Sequence, residues 1–215
     1  MQKNTLVASV VLAALAVAVP ALAGPPFNCH VFDIGAARSL PWGAQNNWLG
    51  MRDDYDVHRL VADTEAILTP ATPTLVRMET LRRASLYASS ERAVAEQLIA
   101  AMMSRVKTAD QAGQAVALFD AGFVIEAINE IEQSGSYTKL LAGRGRELVG
   151  LTNPDDGRAL IRKSLAMRPG DASIELALGL LSRTPESETH FAKARAAARQ
   201  DALLANNLAR LNLLQ

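Results

Sequence analysis

The chain is almost without cysteine, because Cys29 is the only one among its 215 residues. A disulfide within one chain is therefore excluded, and an exported thiol would be buried or would pair with a second chain. An excess of charge of one sign is lacking too, since 22 basic residues balance 22 acidic ones. That balance excludes the strongly basic surface that is typical of nucleic-acid-binding domains. We expect neither an internal cross-link nor a nucleic-acid partner.

Motifs for metal binding or nucleophilic catalysis are also missing. The chain has no Cys-x-x-Cys pair and no His-Glu-x-x-His segment, the spacings that commonly bring metal ligands together. Cys29 and His30 are adjacent, but neighbouring side chains of an extended segment rarely converge on one ligand. A metal-binding or thiol-dependent enzyme that uses Cys29, His30 and His58 is the alternative hypothesis. The main expectation is a protein without catalysis, metal or cofactor.

The first residues are typical of an export signal. Lys3 is the only charge before the apolar run Leu6–Val19, which Pro20 and the triplet Ala21-Leu22-Ala23 follow. This pattern predicts a secretory signal peptide over residues 1–23. The run is shorter than the roughly 20 apolar residues that span a membrane. We expect a mature chain that starts near Gly24, is periplasmic or extracellular, and is not stably inserted in a membrane.

From residue 56 onward the apolar residues recur with the spacing of helices, and strand-type alternation is scarce. The first stripe consists of Val57, Leu60, Val61, Thr64, Ile67 and Leu68. The pattern predicts a helix that ends near Gly122, followed by a partner helix through Ile128. Asp171 is expected to cap the helix after Pro169-Gly170. The sequence thus predicts an all-α protein.

A motif recurs about every 30 residues in the second half of the chain. The pairs Val149-Gly150, Leu178-Gly179 and Leu208-Ala209 are 29 and 30 residues apart. Ile161 and Phe191 begin similar runs and are also 30 residues apart. Such a period predicts paired helices that stack along an axis, each pair burying its apolar face against its neighbours. The small residues at 150, 179 and 209 are expected to lie where adjacent helices touch.

These residues resemble tetratricopeptide repeats, over roughly residues 109–215. Leu160–Pro169 is similar to the second helix and closing proline of such a unit, and Leu178-Gly179 to the small-residue contact of a first helix. Asn206–Ala209 is similar to another first helix, and Gly122–Ile128 to an earlier turn. The resemblance implies an α-solenoid of stacked helical hairpins. It also implies a groove, lined by first helices, that holds a protein or peptide at Arg183, Asn206 and Arg210.

The segment from Gly24 to Tyr55 has little helical period and holds half of the chain's ten aromatic residues. They are Phe27, Phe32, Trp42, Trp48 and Tyr55. They either cover the open end of the helical stack or form an exposed patch, and we favour the cover because a terminal repeat needs its apolar face shielded. In the exposed case Trp42 and Trp48 would add to the binding surface.

The sequence therefore divides into a signal peptide (1–23), an irregular N-terminal arm (24–55) and a helical repeat domain (56–215). The expected function is that of an exported scaffold that binds a protein or peptide without catalysis. A structural component that assembles with copies of itself is a further hypothesis.

Overall fold

A computed structural model describes residues 27–43, 49–133, 144–153 and 155–214. Over these residues the chain is helical and contains no β-strand. The helices are α1 (Leu60–Ile67), α2 (Thr74–Ala88), α3 (Arg92–Thr108), α4 (Gln114–Gln133), α5 (Asp156–Met167), α6 (Ala172–Leu181), α7 (Glu186–Ala197) and α8 (Ala202–Arg210). Short 3-10 turns lie at Phe27–Cys29, Val57–Arg59 and Arg144–Leu148. The prediction of an all-α chain is confirmed for this part of the sequence.

Aspartate side chains cap several of the helices. The Asp171 carboxylate accepts hydrogen bonds from the main-chain N–H groups of Ser173 and Ile174, as the sequence predicts. Asp201 caps α8 in the same way through the N–H group of Leu204. Such caps satisfy N–H groups that the first turn of a helix leaves without an intrahelical partner. The start of each of these two helices is therefore fixed by a residue next to it in sequence.

Helix α4 is continuous, so the prediction that a helix ends near Gly122 is wrong. Gly122 lies in the middle of the 20-residue helix Gln114–Gln133, where glycine costs about 1 kcal/mol relative to alanine. The cost is offset because α5 crosses α4 at this point. A Cβ atom on Gly122 would lie 2.5 Å from the carbonyl oxygen of Gly157. The glycine marks a helix crossing rather than a turn.

The expectation that residues 150, 179 and 209 mark helix contacts is correct at one position only. Gly179 of α6 faces Phe191 of α7 so closely that a Cβ atom would collide with the ring. Gly150 instead lies in a turn with φ of 70° and is exposed. Ala209 lies on the exposed side of α8. The prediction for Gly150 was wrong because glycine is also favoured in turns that need positive φ. Spacing in the sequence does not distinguish such turns from helix contacts.

Helix α2 is the central helix of the molecule. All of its 15 residues except Arg83 are buried, and α1, α3, α4 and α6 all pack against it. Its buried charged side chains form ion pairs, one with α4 and the others within α2. Arg77 forms an ion pair of 2.6 Å with Asp120 of α4, and Glu79 pairs with both Arg82 and Arg83. This helix supplies much of the surface on which the N-terminal arm lies.

The arm packs on the helices with its aromatic side chains inward. Phe27 and Phe32 are each only 2% exposed, and the ring of Phe27 meets that of Phe123 edge-on with centroids 5.1 Å apart. For these two residues the exposed-patch alternative is wrong, because both rings are buried; that they close the open end of a helical stack stays a prediction. Trp48 and the predicted signal peptide lie outside the described residues. Within the described part of the chain, none of the helices has the length and apolar character to cross a membrane.

Candidate functional site: the surface beneath the N-terminal arm

The arm is bound at its start by helix α4. The carboxylate of Glu130 accepts hydrogen bonds from the main-chain N–H groups of Phe27 (2.7 Å) and Asn28 (2.8 Å). The side-chain amide of Asn28 in turn donates to the carbonyl oxygen of Ala127 at 2.9 Å. Burial raises the pKa of Glu130 to about 7, although the two N–H groups act to lower it. Near neutral pH this contact therefore holds a carboxyl group that is partly protonated.

Helix α2 binds the middle of the arm through charged side chains. Glu79 accepts the N–H group of Phe32 at 3.0 Å, and the guanidinium of Arg82 donates to the carbonyl oxygen of Asn28 at 3.1 Å. Arg83 donates to the carbonyl oxygen of Leu40 at 2.7 Å. Glu79 also pairs with both arginines, so one carboxylate offsets part of their two positive charges where they meet the arm.

Beyond Leu40, the end of the arm meets the last turn of α2. The Tyr87 hydroxyl donates to the carbonyl oxygen of Pro41 at 2.8 Å and accepts the N–H group of Arg52 at 3.0 Å. The Trp42 ring stands edge-on to that of Tyr87, and the Arg82 and Arg83 guanidinium groups lie 5.0 and 5.4 Å from its centroid. Such cation–π contacts stabilise a partly buried tryptophan.

Helix α8 forms hydrogen bonds with the main chain of one arm residue, Asp33. The amide of Asn207 accepts the N–H group of Asp33 at 2.8 Å and donates to its carbonyl oxygen at 2.9 Å. The Asp33 carboxylate lies 3.5 Å from the Asn206 amide nitrogen and 3.7 Å from the Arg210 guanidinium. Two of the predicted binding positions, Asn206 and Arg210, thus lie beside a non-helical segment, and that segment is the chain's own arm.

The helices hold the arm, whose backbone is irregular apart from the turn at Phe27–Cys29, with hydrogen bonds that go mostly to its main chain. Carboxylates and an amide accept N–H groups, while arginine, tyrosine and the same amide donate to carbonyl oxygens. Buried sites hold the apolar side chains of Phe27, Phe32 and Leu40. Main-chain hydrogen bonds give affinity to peptide recognition, and side-chain pockets give specificity. The helices therefore hold their own arm with the kinds of contacts that peptide recognition uses.

The other predicted site residues are separate from this surface or only partly on it. Trp42 lies at its end and is partly buried. Arg183 is exposed and follows the end of α6, where its carbonyl oxygen accepts the N–H group of Ser187. Trp48 lies outside the described residues, so its place on the surface stays a prediction.

The residues of the alternative hypothesis differ in environment. Cys29 is partly buried and packs against the core. His30 is also partly buried, and burial together with the nearby charge of Arg82 lowers its pKa. His58 is exposed in the turn before α1, where its N–H group donates to Asp56. In the part of the chain that the structure describes, no three His, Cys, Asp or Glu side chains are placed to hold a metal ion.

The sequence did not predict the polar residues that bind the arm, although the position of one of them, Asn207, could have indicated a hydrogen bond. Asn207 lies between Leu204 and Leu208 on the buried stripe of α8 and is itself only 1% exposed. A polar residue on an apolar stripe needs a hydrogen-bond partner. The sequence therefore indicates that Asn207 is bonded, but not that its partner lies 174 residues away.

Comparisons with known proteins give no further guide to this site. No protein-family model matches the chain, and neither the curated proteins nor the solved structures include a significant match.

Proposed function

We propose that this protein is an exported, non-catalytic scaffold that binds a protein or peptide partner. Its binding surface is the one on α2, α4 and α8 that its own N-terminal arm covers. The proposal includes a tetratricopeptide-like stacking of the C-terminal hairpins. Export follows from the apolar run Leu6–Val19 and the small residues at 21–23. N-terminal sequencing of the protein from a periplasmic fraction should then give Gly24 as the first residue.

One observation carries the proposal. The helices hold the arm mainly through its backbone, and the Asn207 amide makes both hydrogen bonds to the main chain of Asp33. Because every polypeptide has these backbone groups, the same donors and acceptors suit an irregular segment of another protein. The arm then acts as an internal occupant with which a partner competes.

The experiment weakens the arm and supplies it again as a separate peptide. In the chain that begins at Gly24, Phe27→Ala and Phe32→Ala remove two buried anchors from the arm and leave the helices unchanged. We expect a fluorescent peptide of residues 27–43 to bind this double variant, as measured by anisotropy. The parent chain should bind the peptide at least tenfold more weakly, because its own arm is present at high effective concentration.

A matched control separates this surface from nonspecific binding. Adding Asn207→Ala to the double variant removes the amide that contacts Asp33, and peptide binding should fall about fivefold or more. Circular dichroism establishes that each variant is folded. Absence of peptide binding by the folded double variant would refute the proposal.

Hydrogen exchange of the parent chain gives a second test that needs no substitution. If the arm can leave its surface, the amides of Phe32 and Asp33 exchange through a local opening. They should then exchange faster than the amides in the middle of α2, which require global unfolding. Equal protection of both sets would contradict a displaceable arm.

A further inference from the structure

An open cleft lies between α5 and α7, apart from the surface that binds the arm. It has a volume of about 660 Å³, and α6 forms its floor. Apolar side chains of α5, of α6 and of the turn between them line it, whereas α7 contributes polar residues. The apolar residues are Leu165, Ala166, Pro169, Ala172 and Leu178. The volume lies within the range of sites for small molecules.

A compact group of charges forms one wall of the cleft. Glu175 of α6 is 5% exposed, and its two carboxylate oxygens are both bonded. One lies 2.5 Å from His190 Nδ1, and the other accepts a hydrogen bond from Lys193 Nζ at 3.0 Å. The charge of Glu175 is thus compensated within the wall. Its bond to Nδ1 orients the imidazole, which places Nε2 at the mouth of the cleft.

The mouth is occupied by one further carboxylate, that of Glu186. Its Oε1 accepts a hydrogen bond from Arg162 at 2.8 Å and lies 3.6 Å from His190 Nε2. The hydrogen bond from Arg162 is the main cause that lowers the pKa of Glu186, so the group is ionised at neutral pH. Its side chain is 44% exposed, so turning into solvent costs it only the ion pair with Arg162, and exposed pairs contribute about 0–1 kcal/mol.

We propose that this cleft binds a small organic carboxylate with an apolar tail, whose carboxylate takes the place of the Glu186 side chain. Arg162 and His190 already hold a carboxylate at this position, and Lys193 lies on the same wall. The apolar residues beside them accommodate the tail. Glu186 is then an internal competitor that a ligand displaces. This site goes beyond the proposed peptide binding and does not depend on it.

The test measures octanoate binding to the chain that begins at Gly24 by isothermal titration calorimetry. Octanol, which has the same tail without the charge, should bind at least tenfold more weakly. Inorganic phosphate, which has charge without a tail, should also bind more weakly than octanoate. Equal affinity for octanoate and octanol would overturn the proposal.

Substitution of Glu186 gives a prediction that a merely structural ion pair does not make. Glu186→Gln removes the competing charge, so octanoate affinity should rise about three- to tenfold. Glu188→Gln is the matched control, because Glu188 is also exposed on α7 but does not line the cleft. It should leave the affinity within twofold of the parent.

A decrease in octanoate affinity is expected when Arg162, the hydrogen-bond donor to the carboxylate, is substituted. Arg162→Gln should weaken octanoate binding about fivefold or more, and the exposed position of Arg162 (46% of its side chain) leaves folding intact. An unchanged or weaker affinity in Glu186→Gln, or an unchanged affinity in Arg162→Gln, would show that octanoate does not use this cleft.

Discussion

Two glycines set the distance between the helices α4 and α5. A Cβ atom on Gly122 would lie 2.5 Å from the Gly157 carbonyl oxygen and 2.7 Å from the Ile161 side chain. The nearest of these atoms belongs to the backbone, which cannot move aside as a flexible side chain does. A single methyl group at residue 122 must therefore push the two helices apart.

We accordingly predict that Gly122→Ala destabilises the protein by about 1–3 kcal/mol, the usual cost of overpacking. Helix propensity alone predicts the opposite sign, because alanine is favoured over glycine by about 1 kcal/mol within a helix. Urea denaturation followed by circular dichroism measures the difference in free energy of unfolding. A stability equal to or above that of the parent would contradict the close crossing.

Ala209 is the control at the same scale. The sequence period predicts that it packs like Gly179, but its side chain is exposed. Ala209→Leu should therefore change the free energy of unfolding by no more than about 0.5 kcal/mol. The period located Gly179 correctly because its partner, Phe191, is only 12 residues away, on the next helix of the same hairpin.

At the scale of elements, α2 shows what sequence periodicity leaves out. Leu75, Met78 and Leu81 recur at helical spacing in the sequence, and all three are buried. Arg77 and Glu79 have the appearance of solvent-facing residues in the sequence, yet neither is exposed. Their partners are Asp120, 43 residues away, and the Phe32 N–H group, 47 residues away. Periodicity reports on one helix, so it cannot reveal charges that are buried by distant elements.

The ion pair between α2 and α4 leads to a prediction about these elements. Asp120 is buried beside Arg77 at 2.6 Å and Arg105 at 3.3 Å. Asp120→Ala leaves the fully buried Arg77 guanidinium without its carboxylate, and breaking a buried pair in this way costs about 3–5 kcal/mol. Thermal denaturation should show a correspondingly large fall in melting temperature.

Glu96→Ala provides the comparison, since it removes the carboxylate of an ion pair with Arg92 on the surface of α3. Exposed pairs of this kind contribute about 0–1 kcal/mol. Similar losses in Asp120→Ala and Glu96→Ala would mean that α2 and α4 do not depend on their buried pair.

At the scale of the whole molecule, the N-terminal arm joins elements that are distant in sequence. Phe27 and Asn28 bind α4, Phe32 binds α2, and Asp33 binds α8. The sequence predicted that aromatic residues of the arm cover the open end of a helical stack, because a terminal repeat needs its apolar face shielded. The burial of Phe27 and Phe32 agrees with a covering role. The sequence did not predict the path of the arm, which is set by side-chain to main-chain bonds and leaves no periodic pattern.

Glu130 couples this arm to pH. Its pKa is about 7 in the folded protein and 4.5 ordinarily, so the folded state binds the proton more tightly than the unfolded state. Stabilisation from this group is complete below pH 4.5 and is lost as the pH rises through 7. Between pH 6 and pH 8 we predict a loss of about 1 kcal/mol, or a fall of about 2–4 °C in melting temperature.

Glu130→Gln isolates the pH dependence, because glutamine does not titrate. The Phe27 and Asn28 N–H groups bond to different carboxylate oxygens, and the one oxygen of glutamine can accept from only one of them. The variant is therefore expected to be less stable at every pH, and the comparison is between the slopes of the two pH profiles. Burial also raises the pKa of Asp120, to about 6, and that of Glu126, while His30 has a lowered pKa and acts in the opposite sense. These groups are present in both the parent and the variant. Their contributions to the pH dependence of stability therefore cancel when one profile is subtracted from the other. The variant should lose less stability than the parent between pH 6 and pH 8. Parallel profiles would mean that the proton on Glu130 does not contribute to holding the arm against α4.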